Sequence, residues 1–289
     1  MISIDEIGQV RAFEPERIAE AMRARPRGVM ARDADTKLMI IAADHPARGA
    51  FAAGSDPMAM ANRRDLLARC VEALSRPGVH GFLGTADIVE ELTLLGALDG
   101  KLVYGSMNRG GLAGASFEMD DRFTGYNAGG VSEAGLDGGK MLLRMDFDDP
   151  GTIRTIEACS RAVDELAGHR VVAMVEPFIS YRVGGDVRSD LAPDAVIASI
   201  AISSGLGRTS AYTWLKLPCV PEMERVMAAS TLPALILGGE VSEDADAALA
   251  DWAKALALPT VRGLVIGRSL LYPPGDDVAA AVDSAVGLL

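Results

Sequence analysis

Short apolar runs rich in branched residues alternate with longer stretches of helical periodicity along this chain, the pattern of βα units built on a parallel sheet. Eight runs read as strands: Leu38 to Ala43, Gly81 to Leu83 with Val79 ahead of it, Leu102 to Ser106, Lys140 to Met145, Val171 to Glu176, Tyr212 to Leu217, Ala234 to Leu237 and Gly263 to Ile266. Between them the spacing predicts helices over Arg63 to Leu74, Asp87 to Leu95, Gly151 to Leu166, Ala192 to Ser203, Met223 to Ala229, Asp244 to Ala255 and Val278 to Val286. Start signals precede two of these, Asp56-Pro57 before the first and Ser242-Glu243-Asp244 before the helix after the seventh strand, with acids where the helix dipole favours them. Gly78 and Gly168 stand where left-handed helix caps are expected.

Eight strands alternating with helices, with no Pro-, Gly- or Ser-rich linker, predict an α/β fold: one (β/α)8 TIM barrel spanning residues 1–289 rather than an open doubly wound sheet. The length of 289 residues suits a barrel, which needs about 250. Two segments exceed a minimal barrel. Residues 1–36 form an N-terminal extension with a helix expected at Pro15 to Arg25, and a long glycine-rich loop after strand 3 runs from Asn108 to Leu136. A βα loop of that length overlies the active-site face of a barrel, as a lid or as surface elaboration.

Composition narrows the partners. A formal net charge of −12 argues against nucleic acid and against an anionic membrane surface, both of which need clustered cations. No segment reaches the roughly 20 uninterrupted apolar residues that span a bilayer, and no apolar stretch follows a basic start, so a cytoplasmic location is expected. Three scattered cysteines, Cys70, Cys159 and Cys219, offer neither a disulfide framework nor metal-ligand spacing. His45, His80 and His169 form no ligand pattern either, and no metal or other cofactor is expected.

The candidate chemistry starts from Lys216, a lone amine in the apolar run Tyr212-Thr-Trp-Leu-Lys216-Leu-Pro218. A buried ammonium either finds a partner or gives up its proton, and a neutral amine attacks carbonyls. Three more polar groups fall in or at the ends of barrel strands, where such residues read as catalytic: Asp44 after the first, Lys140 at the opening of the fourth and Glu176 at the end of the fifth. Taken singly, a strand-end acid also serves as a helix cap or an arginine partner. Together the four supply what aldol cleavage through an imine demands: a nucleophilic lysine, a second cation, and carboxylates to move protons. Turns after strands seven and eight, Gly238-Gly239 and Gly267-Arg268, are candidates for holding a phosphate, and Arg48 and His45 follow the first strand.

These motifs, in this order, resemble the class I (Schiff-base) aldolases, nearest to tagatose-bisphosphate aldolase and to deoxyribose-phosphate aldolase-like barrels. Asp137-Gly-Gly-Lys140 followed by Asp146 is similar to the fourth-strand motif of that superfamily, Met174-Val-Glu176-Pro-Phe to its fifth, and Trp214-Leu-Lys216-Leu-Pro218 to its Schiff-base strand. Asp44-His45-Pro-Ala-Arg48-Gly49 is similar to its first-strand aspartate motif, and Leu237-Gly238-Gly239-Glu240 and Ile266-Gly267-Arg268 to its phosphate loops. The resemblance implies that Lys216 forms the imine, Lys140 orients the substrate, Glu176 transfers protons and Asp44 assists deprotonation of the hydroxyl beside the bond that breaks. The implied partner is a phosphorylated sugar: a phosphorylated ketose, or a deoxy keto acid of cyclitol breakdown that releases dihydroxyacetone phosphate. Two other readings stay open, a phosphosugar-binding regulatory barrel without turnover and a transaldolase. A homo-oligomer is expected, since barrels of this kind often associate.

Overall fold

The computed structural model describes residues 2–30, 33, 35–241 and 244–289. Its nine strands are β1 (Leu38–Ala42), β2 (Gly81–Gly84), β3 (Leu102–Ser106), β4 (Gly138–Met145), β5 (Val172–Val183), β6 (Asp186–Ser189), β7 (Thr213–Pro218), β8 (Ala234–Leu237) and β9 (Val261–Ile266). All but β6 pair in parallel, in the order β1-β2-β3-β4-β5-β7-β8-β9, and β9 returns to β1. The result is a closed eight-stranded α/β barrel with flanking helices. β6 stands outside it, antiparallel to the far end of β5.

Alternation along each strand divides the apolar residues between two cores. Leu38, Ile40, Ala42, Leu102, Tyr104 and Met174 fill the barrel interior, whereas Met39, Ile41, Val103, Met141, Ala173, Val175 and Leu215 face the surrounding helices. The interior is thus a plug of side chains, as expected for eight strands.

The strand and helix positions follow the hydrophobic pattern closely, with differences at several ends. β4 begins at Gly138, so Lys140 is its third residue rather than its opening one. β5 does not stop at Glu176 but runs on to Val183. Pro177 marks the change: β5 pairs with β7 only over Ala173–Val175, so a residue without an N–H follows just where that ladder has ended. Gly168 lies inside the helix Gly151–His169, and Arg170 takes the left-handed position instead at φ 59°. The helix Arg63–Ser75 is capped by Asn62, whose side chain accepts from the backbone of Arg64 and Asp65, rather than by Asp56-Pro57. The start signal at Ser242-Glu243 lies outside the described residues.

Among the described residues the N-terminal extension holds two α-helices, Ile7–Phe13 and Glu16–Ala24, the second within the predicted span. They are tied to the barrel by Arg11 to Glu90 and Glu91 and by the buried Arg25, which donates to the carbonyls of Lys101 and Gly135. No helix among the described residues is long and apolar enough to cross a membrane.

Candidate active site

The same alternation that fills the interior sets the site. On β1 the inward positions Leu38, Ile40 and Ala42 continue to Asp44, two residues past the last of them. On β3 they run Leu102, Tyr104, Ser106; on β5, Val172, Met174, Glu176; and on β7, Trp214 leads to Lys216. On β4, Met141, Leu143 and Met145 face the helices, which turns Lys140 inward. Five polar side chains therefore rise from separate strands onto one apolar plug, at the mouth where the strands end.

They touch. The Glu176 carboxylate holds both lysines: Lys216 Nζ donates to Oε1 at 2.7 Å, and Lys140 Nζ pairs with Oε2. Lys140 also reaches Asp44 Oδ2 at 3.2 Å. Lys140 and Lys216 are only 2% and 4% exposed, so neither amine is a solvated surface group. Ser106 Oγ donates to Asp44 Oδ2 at 2.9 Å.

Burial and charge oppose one another here. Burial lowers the proton affinity of Lys140, Asp44 and Glu176 restore part of it, and the amine ends near 8. Burial raises Glu176, but Lys140 and Lys216 outweigh it and bring the carboxyl down to about 2. For Asp44 too burial is overcome, by Arg109 first and then Lys140, His45 and Lys216, leaving it well below the usual carboxylate range. Burial drives His45 down to about 3, against the pull of Asp44, so its ring is neutral near pH 7. Its Nδ1 lies buried without a hydrogen bond, 4.0 Å from Asp44 Oδ1.

Arg109 is a site residue that strand-end reasoning misses. It comes from the long loop after β3, and its guanidinium is buried in the cluster. Nε donates to Ser106 Oγ at 2.8 Å, Nη1 to the Asp44 carbonyl at 3.0 Å, and Nη2 pairs with Asp44 Oδ2. The signal available in sequence was an arginine three residues past the C-terminal end of a barrel strand.

The loop itself is a folded cover. Asn108 exchanges hydrogen bonds with the backbone of Leu142, at 2.8 and 2.5 Å, and Arg144 pairs with the buried Glu118. Arg48, expected at the substrate, is turned into this cover: it is buried, donates to the carbonyls of Gly111 and Asn108 at 2.6 and 2.9 Å, and pairs with Asp121 at 2.6 Å. The last part of the loop forms the short helix Ala128–Glu133.

The glycine turns after β8 and β9 come together at the same mouth. Arg268 donates to the Gly239 carbonyl at 3.3 Å and to the Ala52 carbonyl at 3.4 Å. Gly239 is left-handed at φ 67°. At Gly267 a Cβ would stand 2.5 Å from the Ala42 carbonyl oxygen and 3.0 Å from His45 Cε1, so glycine is what lets this turn lie against the end of β1, beside His45. Among the described residues, no three His, Cys, Asp or Glu side chains gather to hold a metal ion.

With this geometry in place, comparison with known proteins assigns the family. The Cgl0159-like family model matches residues 36–286. The chain belongs to the Cgl0159-like family. The crystal structure of Cgl0159 from Corynebacterium glutamicum is 53% identical, covers 100% of this chain and 98% of its own, and superposes with a TM-score of 0.96. At the level of fold, the Cgl0159-like barrel is shared with a Schiff base-forming fructose-1,6-bisphosphate aldolase, at 17% identity, a TM-score of 0.65 and coverage of 94% and 99% of the two chains. An archaeal fructose 1,6-bisphosphate aldolase is also 17% identical, with a TM-score of 0.63 and coverage of 94% and 98%. No curated protein matches the chain in sequence.

Proposed function

We propose that this protein is a class I aldolase that cleaves a phosphorylated ketose or a phosphorylated deoxy keto acid through an imine on Lys216, without a metal, and releases dihydroxyacetone phosphate. The observation that carries this reading is the pairing of two buried lysines on the two oxygens of Glu176, with Asp44 within reach of one of them.

In this reading Lys216 first passes a proton to Glu176 Oε1, already 2.7 Å away, and its neutral Nζ adds to the substrate carbonyl. The adduct nitrogen's surplus proton moves to the alkoxide to give the carbinolamine, and the proton held by Glu176 then lets the hydroxyl leave as water, giving the iminium. The charges that hold Glu176 low include that of Lys216; once this amine is consumed, the carboxylate binds a proton more readily. Asp44 takes the proton from the hydroxyl on the far side of the bond to be broken. That carbon–carbon bond then breaks, its electrons enter the iminium to form an enamine, and the new carbonyl leaves as an aldehyde. Reprotonation and hydrolysis, with Glu176 again moving the proton, free the amine.

The other residues support these steps. Lys140 orients the substrate beside both carboxylates, and Arg109 holds Asp44 in place. His45 offers a neutral nitrogen to a substrate hydroxyl. Gly238, Gly239, Gly267 and Arg268 receive the phosphate, and Arg48 acts on the site through the loop it pins. The fold shared with Schiff base-forming aldolases supports the assignment without choosing the substrate.

Borohydride trapping with dihydroxyacetone phosphate, followed by peptide mass spectrometry, is the test. A reduced adduct on Lys216 that is lost in Lys216→Ala is the expected result. A folded protein that gives no adduct, or one confined to Lys140, would overturn the assignment.

A further inference from the structure

Outside the barrel the sheet has a free edge. β6 pairs with β5 and, among the described residues, with no other strand. Val183 and Asp186 flank the two-residue turn Gly184-Gly185, with φ of 60° and 100°. In such a hairpin the flanking pair is the hydrogen-bonded one. Asp186 and Arg188 therefore direct their backbone groups at β5, and Val187 directs its own away from the sheet.

The two faces of the hairpin differ. Arg182, opposite Val187, is held against the body of the protein by Asp149 Oδ2 at 3.1 Å and the Ser116 carbonyl at 3.0 Å. Tyr181 and Val183 lie on the other face, opposite Arg188 and Asp186, and are 48% and 55% exposed. Of the eleven large apolar side chains exposed among the described residues, seven fall in the segments 112–117, 147–153 and 181–191 that Arg182 draws together. Concentrated exposure of this kind marks an interaction surface, whereas scattered single residues do not.

We propose that this edge receives a second copy of the same chain, β6 against β6, antiparallel, on a twofold axis through Val187. The charges choose this occupant. With Val187 opposite Val187, Asp186 of each copy stands across from Arg188 of the other, in the non-hydrogen-bonded positions where side chains come closest. The edge is complementary to itself, as a twofold interface requires. In the single chain Asp186 and Arg188 face each other at 3.7 Å on the surface, an exchange that costs little to give up. Phe117, in the loop that delivers Arg109, belongs to the same exposed apolar group.

Sedimentation velocity on the full chain at micromolar concentrations tests this. The native protein is expected to associate, and Asp186→Arg or Arg188→Asp alone to halve its mass or weaken association at least tenfold, because each sets like charges face to face. Mixed one to one, the two variants offer two arginines to two aspartates and should associate as tightly as the native chain. Circular dichroism checks that both variants stay folded. A native chain that remains monomeric, single variants that associate undiminished, or a mixture no tighter than its separate components would each overturn the proposal. None of these readouts depends on aldolase activity.

Discussion

Glu176 is where the buried charges balance, since one carboxylate satisfies two lysines that would otherwise be costly to bury. Glu176→Gln keeps the shape, removes the proposed proton carrier and should lower kcat by about 10²- to 10⁴-fold in steady-state assays. Lys140, with its amine near 8, predicts that kcat/KM falls as pH rises through that value, and Lys140→Gln should leave a low, flat profile over the same range. Arg109 touches Asp44 at both its carbonyl and its carboxylate, and if it acts through Asp44 as proposed, Arg109→Gln should reduce kcat strongly in the native background and hardly at all beside Asp44→Asn; additive losses would assign it a merely structural role. At this scale the sequence was informative wherever a strand carried the residue, because period-two alternation states which side chains face inward. Arg109 and Arg48 escaped that rule: their places depend on a loop whose path is set by pairs distant in the chain, Arg48 with Asp121 and Arg144 with Glu118.

Elements show where local pattern stops determining structure. The eight barrel strands were legible because each is a short apolar run. β6 was not, since Asp186-Val-Arg-Ser189 is polar and forms a strand only through pairing with the extension of β5. The loop after β3 left lid and decoration equally open, and the structure makes it a cover pinned by buried pairs. Breaking one of these should loosen it: Asp121→Asn leaves Arg48 buried without its ionic partner, a cost on the order of 3 kcal/mol, read as a lower urea midpoint and faster hydrogen exchange over residues 108–126. Gly263 is a second such point. It pairs with Leu38 on β1 beside the register shift between Ala234 and Leu235 on β8, at φ 143°, and any Cβ would strike the Leu38 backbone. Gly263→Ala should therefore destabilise the barrel by about 2 kcal/mol or more in thermal or urea unfolding.

For the molecule as a whole, the site is also a stability term that depends on pH. Glu176 near 2, against an ordinary 4.5, and Asp44, well below its ordinary value, bind fewer protons folded than unfolded. They stabilise the barrel above pH 4.5, and that contribution is lost as pH falls toward 2. Lys140 near 8, against 10.5, also makes the unfolded chain bind more protons, between pH 8 and 10.5, so its share of stability rises across that window. Urea midpoints against pH should show both slopes, and Glu176→Gln should flatten the acid one. A last consequence comes from the length of β5. It runs unbroken from Val172 to Val183 and pairs with β4 residue for residue from Gly138↔Val172 to Met145↔Ile179. Glu176 and the outer hairpin thus lie on one continuous strand, paired with β4 as far as Ile179. A partner seated on the hairpin would therefore take hold of the same strand that carries Glu176.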